Sequence, residues 1–177
     1  MNIDHKFSHA FFNKTRQHWL SRHIAVAAST HLIWLMIGVL VTVTAWNSET
    51  IVFVPGADTL FVLALLLPAW GVTGIISKLV NRKRPYLETK QKPLIDPFVH
   101  TASFPSAHAT FAFTIISLSF LFYTALLPYM LAAGIVVALG RVATGVHFFS
   151  DILAGAFIGL LVTPYATVGV IMILERL

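Results

Sequence analysis

The sequence predicts an all-α integral membrane bundle of about five transmembrane helices, preceded by an N-terminal interfacial helix. Three observations carry that prediction. The chain of 177 residues is 57% hydrophobic and 11% charged, with a mean hydropathy of +0.81; a soluble domain is about 45–50% apolar and about 25% charged. Runs without Asp, Glu, Lys or Arg cover His23–Ser48, Thr59–Ser77, Pro97–Gly140 and Ile152–Leu174, and about 20 apolar residues cross a bilayer. The runs are continuous rather than alternating, which selects helices over a closed barrel, the other structure that satisfies its backbone in lipid.

Taken in order, residues 1–23 form a basic N-terminal segment and residues 24–177 one membrane domain. Within the first segment, residues 7–22 read as an interfacial helix. Phe7, Phe11, Phe12 and Trp19 face lipid, and Lys14, Arg16 and Arg22 lie at the headgroups; a solvated basic tail is the competing reading. This start is too polar for a secretory signal, and the first span is longer than a signal core. The expected spans are 24–46, 59–80, 107–126, 129–146 and 149–174. The break between the third and fourth lies at Leu127-Pro128, where a proline opens the next helix. Pro68 and Pro164 are candidate kinks. Gly71, Gly74, Gly134, Gly155 and Gly159 are candidates for close helix packing. His31 reads as an interhelical or tilt-exposed histidine, and Trp34, Trp46 and Trp70 as packing residues or interface anchors.

The connection Asn47–Asp58 carries no Lys or Arg. The long loop Asn81–Pro105 (NRKRPYLETKQKPLIDPFVHTASFP) holds four of the eight prolines and most of the mid-chain charge. A loop this long is often functional. Five spans put the N-terminus, this loop and the Arg141–His147 turn on one membrane face. There are no cysteines, so thiol chemistry and disulfides are excluded. The net charge of +5 suits anionic lipid; nucleic acid is a poor partner because no soluble basic domain exists to hold it. Nothing in the sequence implies an oligomeric state.

Three charged clusters converge on that face. The first, KLVNRKRPY (Lys78–Tyr86), reads alone as the positive boundary of a span, Arg82 and Lys83 included. The second, SFPSAHAT (Ser103–Thr110), reads as a helix start. With Ser106 as N-cap, the free N–H groups of Ala107 and His108 form an anion site, and His108 can hold or give a proton. By itself it is also the pattern of any capped helix. The third, GRVATGVHFFSD (Gly140–Asp151), sets His147 and Asp151 four apart, which on a helix puts them on one face. Asp151 can then hydrogen-bond one imidazole nitrogen and leave the other to attack or coordinate. The planar fork of Arg141 suits a phosphate. Headgroup anchoring and a helix-end ion pair are the bland alternative, though ionisable residues at a span are functional by default. A metal is not expected: the histidines are far apart in sequence, and the arginines would repel a cation.

Together the clusters resemble the signature of the type 2 phosphatidic acid phosphatases, the PAP2 superfamily. That signature is a Lys, six residues and Arg-Pro; then Pro-Ser-Gly-His; then Ser-Arg, five residues, His, three residues and Asp. The third cluster matches with Gly140 in place of Ser, and the second with Ala107 in place of Gly. The first departs, because Lys78 lies six positions before Arg84 where the pattern has seven; Ser77 holds the family position. The resemblance covers roughly residues 24–174. It implies that His147 is the nucleophile of a phosphohistidine, that Asp151 orients it, and that His108 protonates the leaving group and then activates water. It further implies phosphate binding by Arg84, Arg141, Ser106, Ala107 and Lys78, with neither metal nor cofactor.

The implied substrate is a membrane lipid phosphate or diphosphate. The short chain and the loop VHTASFPSAH are similar to bacterial undecaprenyl-diphosphate phosphatases; phosphatidylglycerophosphate, phosphatidic acid and lipid A phosphates stay open. The expected location is the bacterial cytoplasmic membrane, multi-pass. Resemblance puts the site on the outer face, whereas the count of basic residues puts it on the inner one. A non-catalytic lipid-phosphate binder or carrier is the competing function. It needs Arg and Lys but no oriented imidazole. A third reading is a structural membrane subunit with boundary charges.

Overall fold

The computed structural model describes residues 3–47, 52–53, 56–97 and 102–176. Parts of the 47–58 connection and of the long loop (48–51, 54–55 and 98–101) lie outside the described residues. Nine α-helices carry the described fold: α1 (Ile3–Gln17), α2 (Trp19–Thr30), α3 (Leu32–Ala45), α4 (Ala57–Ala64), α5 (Leu66–Val80), α6 (Pro85–Thr89), α7 (Ala107–Phe122), α8 (Leu127–Ala143) and α9 (Phe149–Leu174). A two-residue antiparallel pair, Trp46–Asn47 with Val52–Phe53, follows α3.

The apolar runs become helices at nearly the expected limits. The 59–89 run, 124–143 and 149–173 are long and apolar enough to cross a membrane. The pair α2–α3 qualifies as one broken span bent by 41°. α7 is a shorter apolar helix of 16 residues, about 24 Å long. The chain leaves it at Tyr123 for a 3-10 turn, Thr124–Leu126, before Pro128 enters the first turn of α8.

Three expectations need correction. The first span begins at Trp19 rather than 24 and is not straight. No proline bends it. The bend lies where Arg141 donates to the Ser29 carbonyl at 3.2 Å and Thr30 Oγ1 donates to the Val26 carbonyl at 2.7 Å, side-chain bonds to helix carbonyls of the kind that bend helices. His31 sits exposed at that bend. The 59–80 span is broken at Leu65, three residues before Pro68, which has no N–H to give the preceding turn. Pro164 stays inside an unbroken α9. The fourth helix ends at Ala143 rather than 146, because the chain turns through Gly145 at φ +79°.

The N-terminal helix is also displaced from expectation. It runs 3–17 rather than 7–22, and it packs on the bundle instead of lying wholly in lipid. Ser8, His9, Phe12 and Thr15 are buried, while Phe7 and Trp19 remain exposed. A Cβ on Gly145 would meet the Phe12 ring at 2.9 Å, so the glycine admits both the turn and the helix above it.

Glycine also sets the central contact between α7 and α9. A Cβ at Gly159 would stand 2.6 Å from the Thr110 carbonyl oxygen and 2.7 Å from the Thr114 nitrogen. Gly155 is equally close to the Ser106 carbonyl, and small residues at such spacing let two backbones touch in lipid. Gly134 is tight against Ile116, whereas Gly71 and Gly74 have nothing within 4 Å and do not pack as expected. The apolar core lies between α3, α4, α5, α7 and α8, around Met36, Leu40, Leu65, Ile115, Leu118 and Val137. Large exposed apolar residues, Trp34, Leu60, Leu153 and Phe157 among them, cover the outside. This is the reverse of a soluble surface and the expected face toward lipid.

Candidate active site

The C-terminal ends of α5 and α8 and the N-terminal ends of α7 and α9 meet at one end of the bundle. A cavity of about 400 Å³ opens there. Its lining includes Lys78, Arg84, Ala107, His108, Arg141 and His147, with Trp70, Thr73, Gly74 and Ser77 along α5. Six of the eight residues singled out from sequence therefore border one space. Ser106 and Asp151 lie behind it, both with zero exposure. No Asp or Glu occurs among the described lining residues, so the wall is basic and suits an anion. Among the described residues no three His, Cys, Asp or Glu side chains converge as metal ligands. A second cavity, of about 450 Å³, lies away from His108 and His147, beside Arg22, His23 and His31.

His147 sits in the turn between α8 and α9, 4% exposed. Its Nδ1 lies 2.7 Å from the Ser103 carbonyl oxygen. A carbonyl can only accept, so Nδ1 carries the hydrogen and the lone pair falls on Nε2. Asp151 Oδ2 is further away, 3.5 Å from the same nitrogen. The expected pairing of His147 with Asp151 is present at this longer distance, although the two do not share a helix face. His147 precedes α9, and Asp151 in its first turn accepts the Phe148 N–H at 2.8 Å. Burial pushes the His147 imidazole down to about 4, against the raising effect of the Asp151 hydrogen bond, and the charges of Arg141 and Arg84 lower it further. The ring is neutral at neutral pH.

Ser106 starts α7, but its hydroxyl makes no cap hydrogen bond. Its N–H donates to the Asp151 carbonyl at 3.0 Å, tying the two helix starts together. The buried Oγ has no partner among the described residues, and buried hydroxyls are normally satisfied. The first N–H groups of α7, on Ala107 and His108, have no acceptor within their own helix. They sit on the cavity wall at the positive end of the helix dipole.

Two buried arginines complete the wall. Arg84, 6% exposed, donates from Nη1 to the Val146 carbonyl at 3.4 Å. Arg141, 5% exposed, donates from Nη1 to Ser29 Oγ at 3.0 Å as well as to the Ser29 carbonyl, and its Nε has no partner among the described residues. Lys78 and Ser77 both reach the cavity, so the one-position offset, about 100° of helix rotation, leaves Lys78 at its exposed edge.

Sequence reasoning missed Ser29, Ser103 and Arg82. Ser29 lies in an apolar span with no charge nearby in sequence. Ser103 contributes a backbone carbonyl, which any residue has. Arg82 was read as a boundary charge; it donates to Asp151 Oδ1 at 2.8 Å. Its place in the charged run that leads to Arg84-Pro85 was the one available signal.

The sequence pattern of the PAP2 superfamily matches residues 57–172, which take in all of this site. The chain belongs to the PAP2 superfamily. Among solved structures it is similar to LpxE of Aquifex aeolicus, with a TM-score of 0.70 and 19% identity over 93% of this chain and 94% of that one. It is also similar to a transmembrane PAP2 type phosphatidylglycerolphosphate phosphatase from Bacillus subtilis, with a TM-score of 0.67 and 22% identity over 94% of this chain and 83% of that one. At such identity the likeness concerns the fold, a helical membrane bundle. No curated protein matches the chain in sequence. Membership in the PAP2 superfamily supports a multi-pass membrane phosphatase.

Proposed function

We propose that this PAP2 protein hydrolyses a phosphate ester or diphosphate of a membrane lipid through a phosphohistidine and without metal, with undecaprenyl diphosphate, converted to undecaprenyl phosphate, as its substrate. The observation that carries the reading is the basic cavity in which two imidazoles, two buried arginines and a helix N-terminus meet. A binder would need the cations alone. A neutral imidazole whose Nδ1–H is committed to a carbonyl is a nucleophile in the correct tautomer.

In this mechanism Arg84, Arg141, Lys78 and the Ala107 and His108 amides hold the phosphoryl oxygens, and the free Ser106 hydroxyl donates to one of them. His147 Nε2 attacks phosphorus. The bond to the leaving oxygen breaks with its electron pair, and His108 supplies the proton. Asp151 and the Ser103 carbonyl stabilise the resulting imidazolium. His108, now neutral, takes a proton from water as the water oxygen attacks phosphorus, and Nε2 leaves with inorganic phosphate as product.

A lipid substrate is supported by the α5 wall. Trp70 and Gly74 line the cavity and are also exposed on the outer face of that helix, so an acyl or prenyl tail can lie along it while the phosphate enters. The similarity to the Bacillus subtilis structure favours phosphatidylglycerophosphate as the second substrate to try. The test is phosphate release from undecaprenyl diphosphate by detergent-purified protein in EDTA, with folded His147→Ala alongside. Release by wild type only supports the reading. Equal release by both removes His147 as nucleophile. Dependence on added divalent metal removes the metal-free mechanism. Silence toward this lipid and toward phosphatidylglycerophosphate, phosphatidic acid and lipid A phosphates moves the protein to a binding role.

A further inference from the structure

Arg82 and helix α1 lie outside the phosphate cavity, yet they hold the residue behind its nucleophile. Arg82 is a five-way junction. Its Nη1 donates to Asp151 Oδ1 at 2.8 Å and to Ser150 Oγ at 2.6 Å. Its Nη2 donates to Asp4 Oδ2 at 2.9 Å and stands 3.1 Å from His5 Nε2. The guanidinium lies 4.0 Å over the Phe148 ring, a cation–π arrangement. Asp4 and His5 belong to the first turn of α1.

The same face of α1 supplies what the start of α9 lacks. Ser8 Oγ accepts the Phe149 N–H at 3.0 Å, and Asp4 Oδ1 accepts the Ser150 N–H at 3.1 Å. These are among the first N–H groups of α9, which have no acceptor in their own helix. Asp4 Oδ2 also receives the Ser150 hydroxyl. His5 stacks on Phe148 at 4.3 Å and pairs with Glu88 at 3.1 Å. Burial acts to raise the Asp4 carboxyl, but the hydrogen bonds from Ser150 and Arg82 outweigh it and hold it below its usual range. Asp4 is therefore ionised when it meets Arg82.

We propose that α1 is a positioning element of the active site: Asp4, acting through Arg82, fixes the Asp151 carboxylate and with it the His147 ring. The proposal rests on the phosphohistidine reading for its effect on catalysis. Asp151 is wholly buried, and its two oxygens are divided. Oδ1 is held by Arg82; Oδ2 caps Phe148 and faces His147 Nδ1. Without the anchor on Oδ1 the carboxylate is held by the Phe148 N–H alone, and the acceptor behind the imidazolium is less firmly placed at the moment positive charge develops. Neither Asp4 nor Arg82 lines the cavity, so substrate binding is spared.

The test uses the full chain with Asp4→Asn, the charge-preserving Asp4→Glu, Arg82→Gln and the double variant Asp4→Asn/Arg82→Gln, with wild type and His147→Ala as references. The expected result for Asp4→Asn is a fall in kcat of about tenfold with KM nearly unchanged, with partial recovery in Asp4→Glu. The double variant loses less than the two single losses combined, since part of what Asp4 does passes through that arginine and part through its own bonds to Ser150. A second readout needs no turnover: the His147 imidazole resonance, assigned by its loss in His147→Ala, shifts in Asp4→Asn. Wild-type kcat in Asp4→Asn, additive losses, or an unmoved His147 resonance overturns the proposal. Absence of phosphate release from wild type counts against the proposed function, and the resonance then decides the positioning role by itself. If Asp4→Asn does not fold, Asp4→Glu carries both readouts.

Discussion

Replacing Gly155 with alanine is expected to cost turnover rather than affinity. The new Cβ would lie 2.6 Å from the Ser106 carbonyl oxygen, 3.1 Å from Ala109 Cβ and 3.1 Å from the Thr110 nitrogen, where ordinary van der Waals contact begins at 3.4 Å. The nearest obstacle is backbone, so no rotamer change relieves it. α7 and α9 must separate by about 0.8 Å, the difference between the nearest distance and the ordinary one. That separation acts at the Ser106 N–H to Asp151 carbonyl bond, which ties the helix start bearing His108 to the one bearing Asp151. Overpacking of this kind costs about 1–3 kcal/mol of stability, and a misplacement of about 1 Å in a reacting constellation costs on the order of 100-fold in rate. The assay is phosphate release against substrate concentration, together with a thermal melt in the same detergent. The expected result is kcat lower by about 10- to 100-fold with KM little changed. Gly71→Ala is the control: nothing lies within 4 Å of its Cβ, and it is expected to match wild type. A Gly155→Ala protein that melts normally and turns over like Gly71→Ala would refute the argument that this helix contact sets the site.

Two more outcomes follow from burial. Ser106→Ala removes a hydroxyl that has no partner among the described residues, so stability is expected to hold or rise slightly while phosphate release falls; full activity would remove Ser106 from the phosphate site. The His147 ring should titrate near 4 rather than near its ordinary 6.5. Its folded-state value lies below the unfolded one, so its contribution to stability is complete above pH 6.5 and is lost as pH falls from there through about 4. Histidine-selective NMR reads this directly, and an inflection close to 6.5 in folded protein would contradict the buried, neutral nucleophile.

Much of the fold was legible because a chain in lipid must satisfy its backbone within each segment. The apolar runs therefore located the helices from local composition, and α9 matched its expected limits, 149–174. The same physics made the candidate site legible. Charge is tolerated only where a span reaches its end, so Arg84, His108, Arg141 and His147 were already grouped at span ends before any contact was known. Helix ends were less exact. Hydropathy does not register a turn at Gly145, a break before Pro68, or a side-chain bond to the Ser29 carbonyl.

What the sequence by itself determined was a membrane bundle of apolar helices with three basic and imidazole-bearing clusters, because composition and spacing are local quantities. Only the tertiary structure decided how those clusters are held. The Ser103 carbonyl behind His147 is 44 positions away, Ser29 is 112 from Arg141, and Asp4 is 146 from Ser150. Each of these contacts uses a backbone carbonyl, a serine or a carboxylate that looks ordinary in its own segment. Its meaning comes from the close crossing of α7 with α9 and the docking of α1, and such contacts leave no periodic trace in the chain.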